Sequence, residues 1–237
     1  MPRAYLLQLF QNLKTGIKFK RAGEQEYLAS LIDTLNKRVD SRLPLSEEIY
    51  VAFDLETTGL HPFGGDQIIA LGAVRTEDGR VIRNVFERVV NPRRPIPPEI
   101  QELTGITEAA VVAAPVLQDV LPAFVKFLCQ GVLIGYNADF DLAFLNLAIR
   151  FCCGAKINRA VVLDVMTVVR ALNPRWEYFG LDEIAAYYEV PLEARHTAVG
   201  DAIIHARLFL RLIPLLEERG IYTLNDLRRY LQYRALC

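Results

Sequence analysis

No stretch of this chain approaches the roughly 18 consecutive apolar residues that a membrane-spanning helix requires, and its first residues lack the apolar core and small-residue cleavage site of a secretory signal. Cysteine is sparse: Cys129, Cys152, Cys153 and Cys237 show neither zinc-ligand spacing nor a disulfide framework, and adjacent cysteines in an apolar helical stretch read as small core residues. Charge imbalance is absent overall, the formal net charge being −1. Internal repeats and low-complexity segments are missing too. The 237 residues, 52% of them hydrophobic, therefore read as a soluble globular protein expected in the cytoplasm, with room for one substantial domain and an appendage. The acid-free opening through Arg21 has the charge of an organellar transit peptide, but the acids and leucines after it continue a helical pattern and join it to the folded chain.

The distribution of charge says more than its sum. Residues 49–204 hold 13 Lys/Arg against 19 Asp/Glu, whereas residues 1–48 hold 8 against 6 and residues 205–237 hold 6 against 3. A domain that grips a polyanion by phosphate contacts alone is expected to be basic. An acidic middle between basic ends would need metal ions to approach one.

Residues 3 to 13 and 25 to 38 carry apolar positions at helical spacing, such as Leu28, Leu31, Ile32 and Leu35, and predict two helices. Pro44 marks the joint between this helical extension and the main domain. From Tyr50 the texture turns to short β runs: YVAFDLE, QIIALGAVR and VIRNVFERVV, the last two joined by a Glu77-Asp78-Gly79 turn. A proline-rich loop over residues 91 to 98 precedes helical pieces around ITEAAV. Next come helix VLQDVLPAFVKFLCQ, strand VLIGY, helix FDLAFLNLAIRF, strand VVLDVM and the helices LDEIAAYYE and TAVGDAIIHARLFLRLIPLLEERG. A meander and then alternating helix and strand predict an α/β domain with a mixed sheet. The chain divides into a helical extension over 1–48, a main domain over 49–215 and a C-terminal helical segment over 216–237. The extension either packs on the main domain or serves as a partner-binding or dimerising arm.

Within VAFDLETTGL, Asp54 and Glu56 alternate with Phe53 and Leu55, so both acids point to one face of the first strand, roughly 6–7 Å apart. Such a pair repels unless a cation, a proton or water intervenes. Two later clusters supply possible company. In GYNADFD a buried strand gives way to a helix, the junction where α/β sheets gather ligands, and Asp139 and Asp141 both qualify as site acids or as helix caps. In RHTAVGDA, His196 precedes a long helix and Asp201 falls in its first turns, so both side chains can reach one region. Several carboxylates with one histidine suit hydrolysis by activated water: oxygen ligands hold hard divalent ions, and a neutral imidazole takes a proton.

These three motifs, in this order and spacing, resemble those of the DEDD superfamily of 3′→5′ exonucleases in its histidine-bearing branch, and the chain is similar to the proofreading epsilon subunits of bacterial DNA polymerase III. The resemblance spans residues 49 to 212. It implies a ribonuclease H-like, mixed five-stranded sheet flanked by helices. It also implies that Asp54, Glu56, Asp141 and Asp201 hold two Mg²⁺ or Mn²⁺ ions and that His196 is the general base, favouring Asp141 over Asp139. Two such ions can stabilise the attacking and leaving oxygens of a phosphodiester together. Thr57, Thr58 and Leu60 would lie beside the 3′-terminal nucleotide, with Glu99 near its terminus and Thr104 in the adjoining segment. Tyr136 and Thr104 stand where many relatives have histidines, which bears on substrate preference. The implied substrate is nucleic acid with a free 3′ end, DNA favoured over RNA, in proofreading or repair. A DNA polymerase, or a second copy met through the N-terminal helices, is the implied partner.

Two other classes remain. Asp54 at a strand end could be the nucleophile of an aspartyl-phosphate phosphatase, which leaves His196 and Asp201 idle; a non-catalytic interaction subunit would be expected to have lost one of the four acids. His61 reads as a loop residue, His205 as an ordinary helix-face histidine, Asp164 as a helix cap, and Trp176 and Tyr178 as a packed loop.

Overall fold

The computed structural model describes residues 23–37, 42–158, 160–176 and 180–235. The helix expected over 3 to 13 lies outside them, as do Tyr178 and Cys237. Strand β1 (Tyr50–Thr57) sends buried Val51, Phe53 and Leu55 to one face and buried Tyr50 and Ala52 to the other. It pairs antiparallel with β2 (Ile68–Glu77), which turns back into β3 (Arg80–Val89). The turn is Asp78-Gly79, at φ of 51° and 67°, the two left-handed residues a tight hairpin demands. On the other edge of β1, β4 (Val132–Gly135) and then β5 (Val162–Asp164) add in parallel, giving a five-stranded mixed sheet in the order β3-β2-β1-β4-β5.

The helices, in chain order, are α1 (Glu24–Lys37), α2 (Pro98–Thr104), α3 (Glu108–Val112), α4 (Leu117–Leu128), α5 (Ala138–Cys153), α6 (Val165–Leu172), α7 (Leu181–Tyr187), α8 (Ala198–Glu217) and α9 (Leu224–Ala235). One core joins α1, α4 and α5 to the Val51, Phe53 and Leu55 face. The other joins α6, α7, α8 and α9 to Tyr50, Ala52, Val74 and Ile134. Helix α1 is held in the first of these through Leu28, Ile32 and Leu35, spaced to form one stripe and all buried. The joint after it is pinned to the far end of the chain, Leu45 N–H donating to the Tyr222 carbonyl at 2.7 Å. Among the described residues no helix is long and apolar enough to cross a membrane.

Two helices depart from the sequence expectation. The proline-rich segment stays irregular over 91–97, but an unexpected helix, α2, opens at Pro98, where a helix's first position tolerates proline because its N–H would be unpaired anyway. The run VVLDVM is a strand only to Asp164, whose carboxylate accepts the Met166 N–H at 3.0 Å and starts α6 in what reads as continuous β sequence.

Helix α8 lies along β1, and residues 209, 205 and 201, each about one helical turn apart, meet successively later positions of the strand. The Phe209 ring meets Tyr50 at 4.9 Å between centroids, and the His205 imidazole Nδ1 lies 3.4 Å from the Phe53 carbonyl. One further turn brings Asp201 to the level of Asp54 and Glu56. Opposite Asp54, β2 carries Gly72. A Cβ there would sit 2.1 Å from the Ala198 carbonyl carbon and 2.3 Å from the Val199 nitrogen, so only glycine lets the helix start press on the sheet. Gly72→Ala is therefore expected to cost about 1–3 kcal/mol or more, read as a lower urea midpoint. A wild-type midpoint would mean the close approach is not required.

Candidate active site

Four carboxylates converge where β1 ends. Asp54, Glu56 and Asp201 offer oxygens that all lie within 4.8 Å of one another, although Asp201 is nearly 150 residues away in sequence. Asp141, in the first turn of α5, is 3% exposed and its Oδ1 accepts the Leu55 N–H at 3.1 Å. Asp139, two residues earlier, is exposed and lines a different hollow, shared with Asn146 and Asn158. The corner before α5 is held by Asp164, which accepts the Asn137 N–H at 3.0 Å while capping α6.

The electrostatics of this arrangement are adverse without a cation. Burial raises Asp54 well above the usual carboxylate range, and the charges of Asp141, Glu56 and Asp201 raise it further. Burial and then Asp201 push Glu56 up to about 7. Asp141 is raised by burial despite its hydrogen bond from Leu55, and Asp201 by burial despite a nearby arginine.

That arginine is Arg195, which composition and motif do not single out. Its guanidinium forks, Nε donating to Asp182 Oδ1 at 2.7 Å and a terminal nitrogen to Asp201 Oδ2 at 2.6 Å. The other Asp201 oxygen, Oδ1, is buried and accepts no hydrogen bond. An orphaned buried carboxylate oxygen costs free energy unless something positive meets it. With Asp54 and Glu56 alongside, the donors are all oxygen, the set that hard divalent cations take, so the residues fit the ions that the resemblance implies.

His196 sits on the turn before α8, next to the Arg195 that bonds Asp201, half-buried and at φ 61°. Its Nδ1 is 3.4 Å from Arg195. Thr197 caps α8, its hydroxyl accepting the Gly200 N–H at 3.1 Å. His205 is a different kind of histidine: 2% exposed, stacked on Tyr136 at 5.8 Å, and driven down to about 3 by burial. It lines the core and stays neutral, which the expectation of an ordinary helix-face residue missed.

The residues expected near a terminal nucleotide divide into two kinds. Leu60 is 71% exposed and Glu99 is exposed in the first turn of α2. Thr58 and Thr104 are buried with their hydroxyls engaged inside the protein, Thr58 with Asp66 and the Gln67 N–H, Thr104 with the Ile100 carbonyl and the Ile106 N–H. The Thr57 hydroxyl donates to the Gly59 carbonyl at 2.7 Å. Trp176 packs edge-on against Tyr187, centroids 4.6 Å apart. Of the cysteines, Cys152 is buried and its thiol pushed up to about 12 by burial, in keeping with a core role.

Residues 51–209 match the RNase_T family model, described as Exonuclease. A DNA polymerase III subunit epsilon-like protein of Rhodobacter capsulatus is 40% identical over 208 residues, 84% of this chain and 29% of that protein. A PolC-type DNA polymerase III of Caldanaerobacter subterraneus is 36% identical over 187 residues, 79% of this chain and 13% of that protein. The chain thus spans less than a third of either relative's length. Among solved structures, Exonuclease X in complex with 5′ overhanging duplex DNA aligns with 25% identity and a TM-score of 0.54, covering 72% of this chain and 93% of that one. The nuclease domain of 3′hExo, a DEDDh family member bound to rAMP, shares the fold with a TM-score of 0.59 at 16% identity, covering 72% and 94%.

Proposed function

The chain belongs to the RNase_T exonuclease family, and on that premise we propose that it is a 3′→5′ exonuclease of the DEDDh kind, releasing nucleoside 5′-monophosphates one at a time from the 3′ end of DNA. The observation that carries this is the meeting of Asp54, Glu56 and Asp201 within 4.8 Å, with one Asp201 oxygen buried and unmet. In this reading Asp54, Glu56, Asp141 and Asp201 hold two Mg²⁺ or Mn²⁺ ions. Bound there, such ions supply the positive charge that stabilises the attacking and leaving oxygens of a phosphodiester. His196 accepts a proton at a ring nitrogen from the water that attacks the terminal phosphorus. The bond from phosphorus to the 3′-oxygen of the penultimate nucleotide breaks, and the mononucleotide leaves with its 5′-phosphate.

Leu60, exposed at the lip, packs against the terminal base, and the Thr57 to Gly59 turn faces its sugar, with Glu99 across the slot near the 3′-hydroxyl. The reading extends to proofreading or repair beside a DNA polymerase, and the Rhodobacter capsulatus relative's name, a DNA polymerase III subunit epsilon-like protein, supports the polymerase as partner. An aspartyl-phosphate phosphatase is disfavoured, because Asp54 is crowded by three other acids instead of standing as a lone nucleophile.

A 5′-labelled single strand should shorten stepwise from its 3′ end in Mn²⁺ or Mg²⁺, with deoxynucleoside 5′-monophosphate as product, and chelator should stop it. RNA of the same sequence should react more slowly. Intact DNA beside a hydrolysed phosphomonoester would overturn the reading.

A further inference from the structure

The loop after the first motif is folded around one carboxylate. Asp66 Oδ1 accepts the Thr58 hydroxyl at 3.2 Å, and Oδ2 accepts the His61 N–H at 3.0 Å. Its own N–H returns to the His61 carbonyl at 3.2 Å, and its neighbour Gln67 exchanges backbone contacts with Thr58, donating to the Thr58 hydroxyl and accepting its N–H. Gly59 sits directly over this carboxylate: a Cβ there would be 2.5 Å from Asp66 Oδ2. The chain is thereby bent so that its outer side shows Leu60 and Phe63, 71% and 51% exposed.

From the other direction comes Arg94, in the segment that leads into α2 and Glu99. Its guanidinium donates to Asp66 Oδ1 at 3.1 Å and to the Gly65 carbonyl. A partly exposed ion pair alone is worth little, but a carboxylate that also accepts from a hydroxyl and a backbone N–H is held in one orientation by charge-assisted bonds. One side chain therefore ties together residues 57–61 and 94–99, the two stretches that the exonuclease reading sets around the 3′-terminal nucleotide.

We propose that Asp66, braced by Arg94, is a positioning residue that sets the shape of the slot for the 3′-terminal nucleotide, without itself touching nucleotide or metal. The inference rests on reading the cluster as a 3′-exonuclease site. It traces the shape of the terminal-nucleotide site to a carboxylate that belongs to none of the three acid motifs.

The test compares Asp66→Asn and Arg94→Gln with wild type by calorimetric titration of Mn²⁺ alone and of deoxythymidine 5′-monophosphate in saturating Mn²⁺, with KM and kcat on a single-stranded oligonucleotide. Asp66→Asn should weaken the mononucleotide and raise KM by about tenfold or more, leaving Mn²⁺ affinity and kcat within about twofold. Arg94→Gln, at the exposed rim, should shift the same quantities in the same direction by less, with a wild-type melting temperature. Unchanged mononucleotide affinity in both variants would overturn the proposal, as would parallel losses of Mn²⁺ affinity and kcat, which mark a general loosening. Failure of the wild-type protein to shorten the oligonucleotide would instead overturn the exonuclease reading itself.

Discussion

Asp54→Asn is expected to reduce exonuclease activity by on the order of 10³-fold or more and, in the absence of divalent ions, to raise the melting temperature. Both effects have one source. Asp54 is the acid on which the others press: burial, Asp141, Glu56 and Asp201 all raise it. An amide of the same shape removes a metal-holding oxygen charge and relieves the crowding together. The sign of the pH dependence comes from Glu56, raised from 4.5 to about 7. A carboxyl whose folded value lies above its unfolded value favours folding while protonated. That contribution is whole below pH 4.5 and is lost as pH rises through about 7, a change of at most about 3 kcal/mol at 1.36 kcal/mol per pH unit. Metal-free wild-type protein should therefore melt at lower temperature at pH 8 than at pH 5, and Mn²⁺ should restore the difference by binding the folded state. Thermal melts of both proteins at the two pH values, with and without Mn²⁺, check this. A metal-free melting temperature that climbs with pH, or an active Asp54→Asn protein, would contradict it.

His196→Asn is expected to cost about 10²–10⁴-fold in kcat while leaving Mn²⁺ affinity close to wild type. Asparagine is the informative replacement because residue 196 has φ 61°, a left-handed conformation that asparagine tolerates and most side chains resist. The turn between Arg195 and the Thr197 cap should survive, and only proton acceptance is lost. Single-turnover rates on an oligonucleotide, beside a calorimetric Mn²⁺ titration, separate these. A loss of metal affinity equal to the loss of rate would assign His196 to holding the cluster instead of accepting a proton.

Much of the architecture is legible in the residues because it rests on local pattern. The alternation from Tyr50 to Thr57 fixes which face carries Asp54 and Glu56, Asp78-Gly79 supplies the hairpin, and the stripe of Leu28, Ile32 and Leu35 makes a helix. The misreadings arise where local signals conflict. Proline at 97 and 98 reads as loop but also opens α2, and the β-branched run after Val161 reads as strand until the Asp164 cap turns it. Within the site, acids stand out because charge on a core strand is costly. Arg195, Gly72 and Asp66 do not, since their roles depend on what other segments bring to them. Arg195 matters through Asp182 and Asp201, Gly72 through the backbone at Ala198, and Asp66 through Thr58, His61 and Arg94. None of those distances is encoded in periodicity.

The convergence of acids from β1, α5 and α8 into one ion-binding centre beside His196 is tested most directly by diffraction from crystals soaked in Mn²⁺ and deoxythymidine 5′-monophosphate. Anomalous density should lie among the carboxylates of Asp54, Glu56 and Asp201, contacting the bare Asp201 Oδ1, with the nucleotide's phosphate against it and the base beside Leu60. Manganese bound elsewhere, or a cluster in which Arg195 remains the only cation at saturating Mn²⁺, would contradict it.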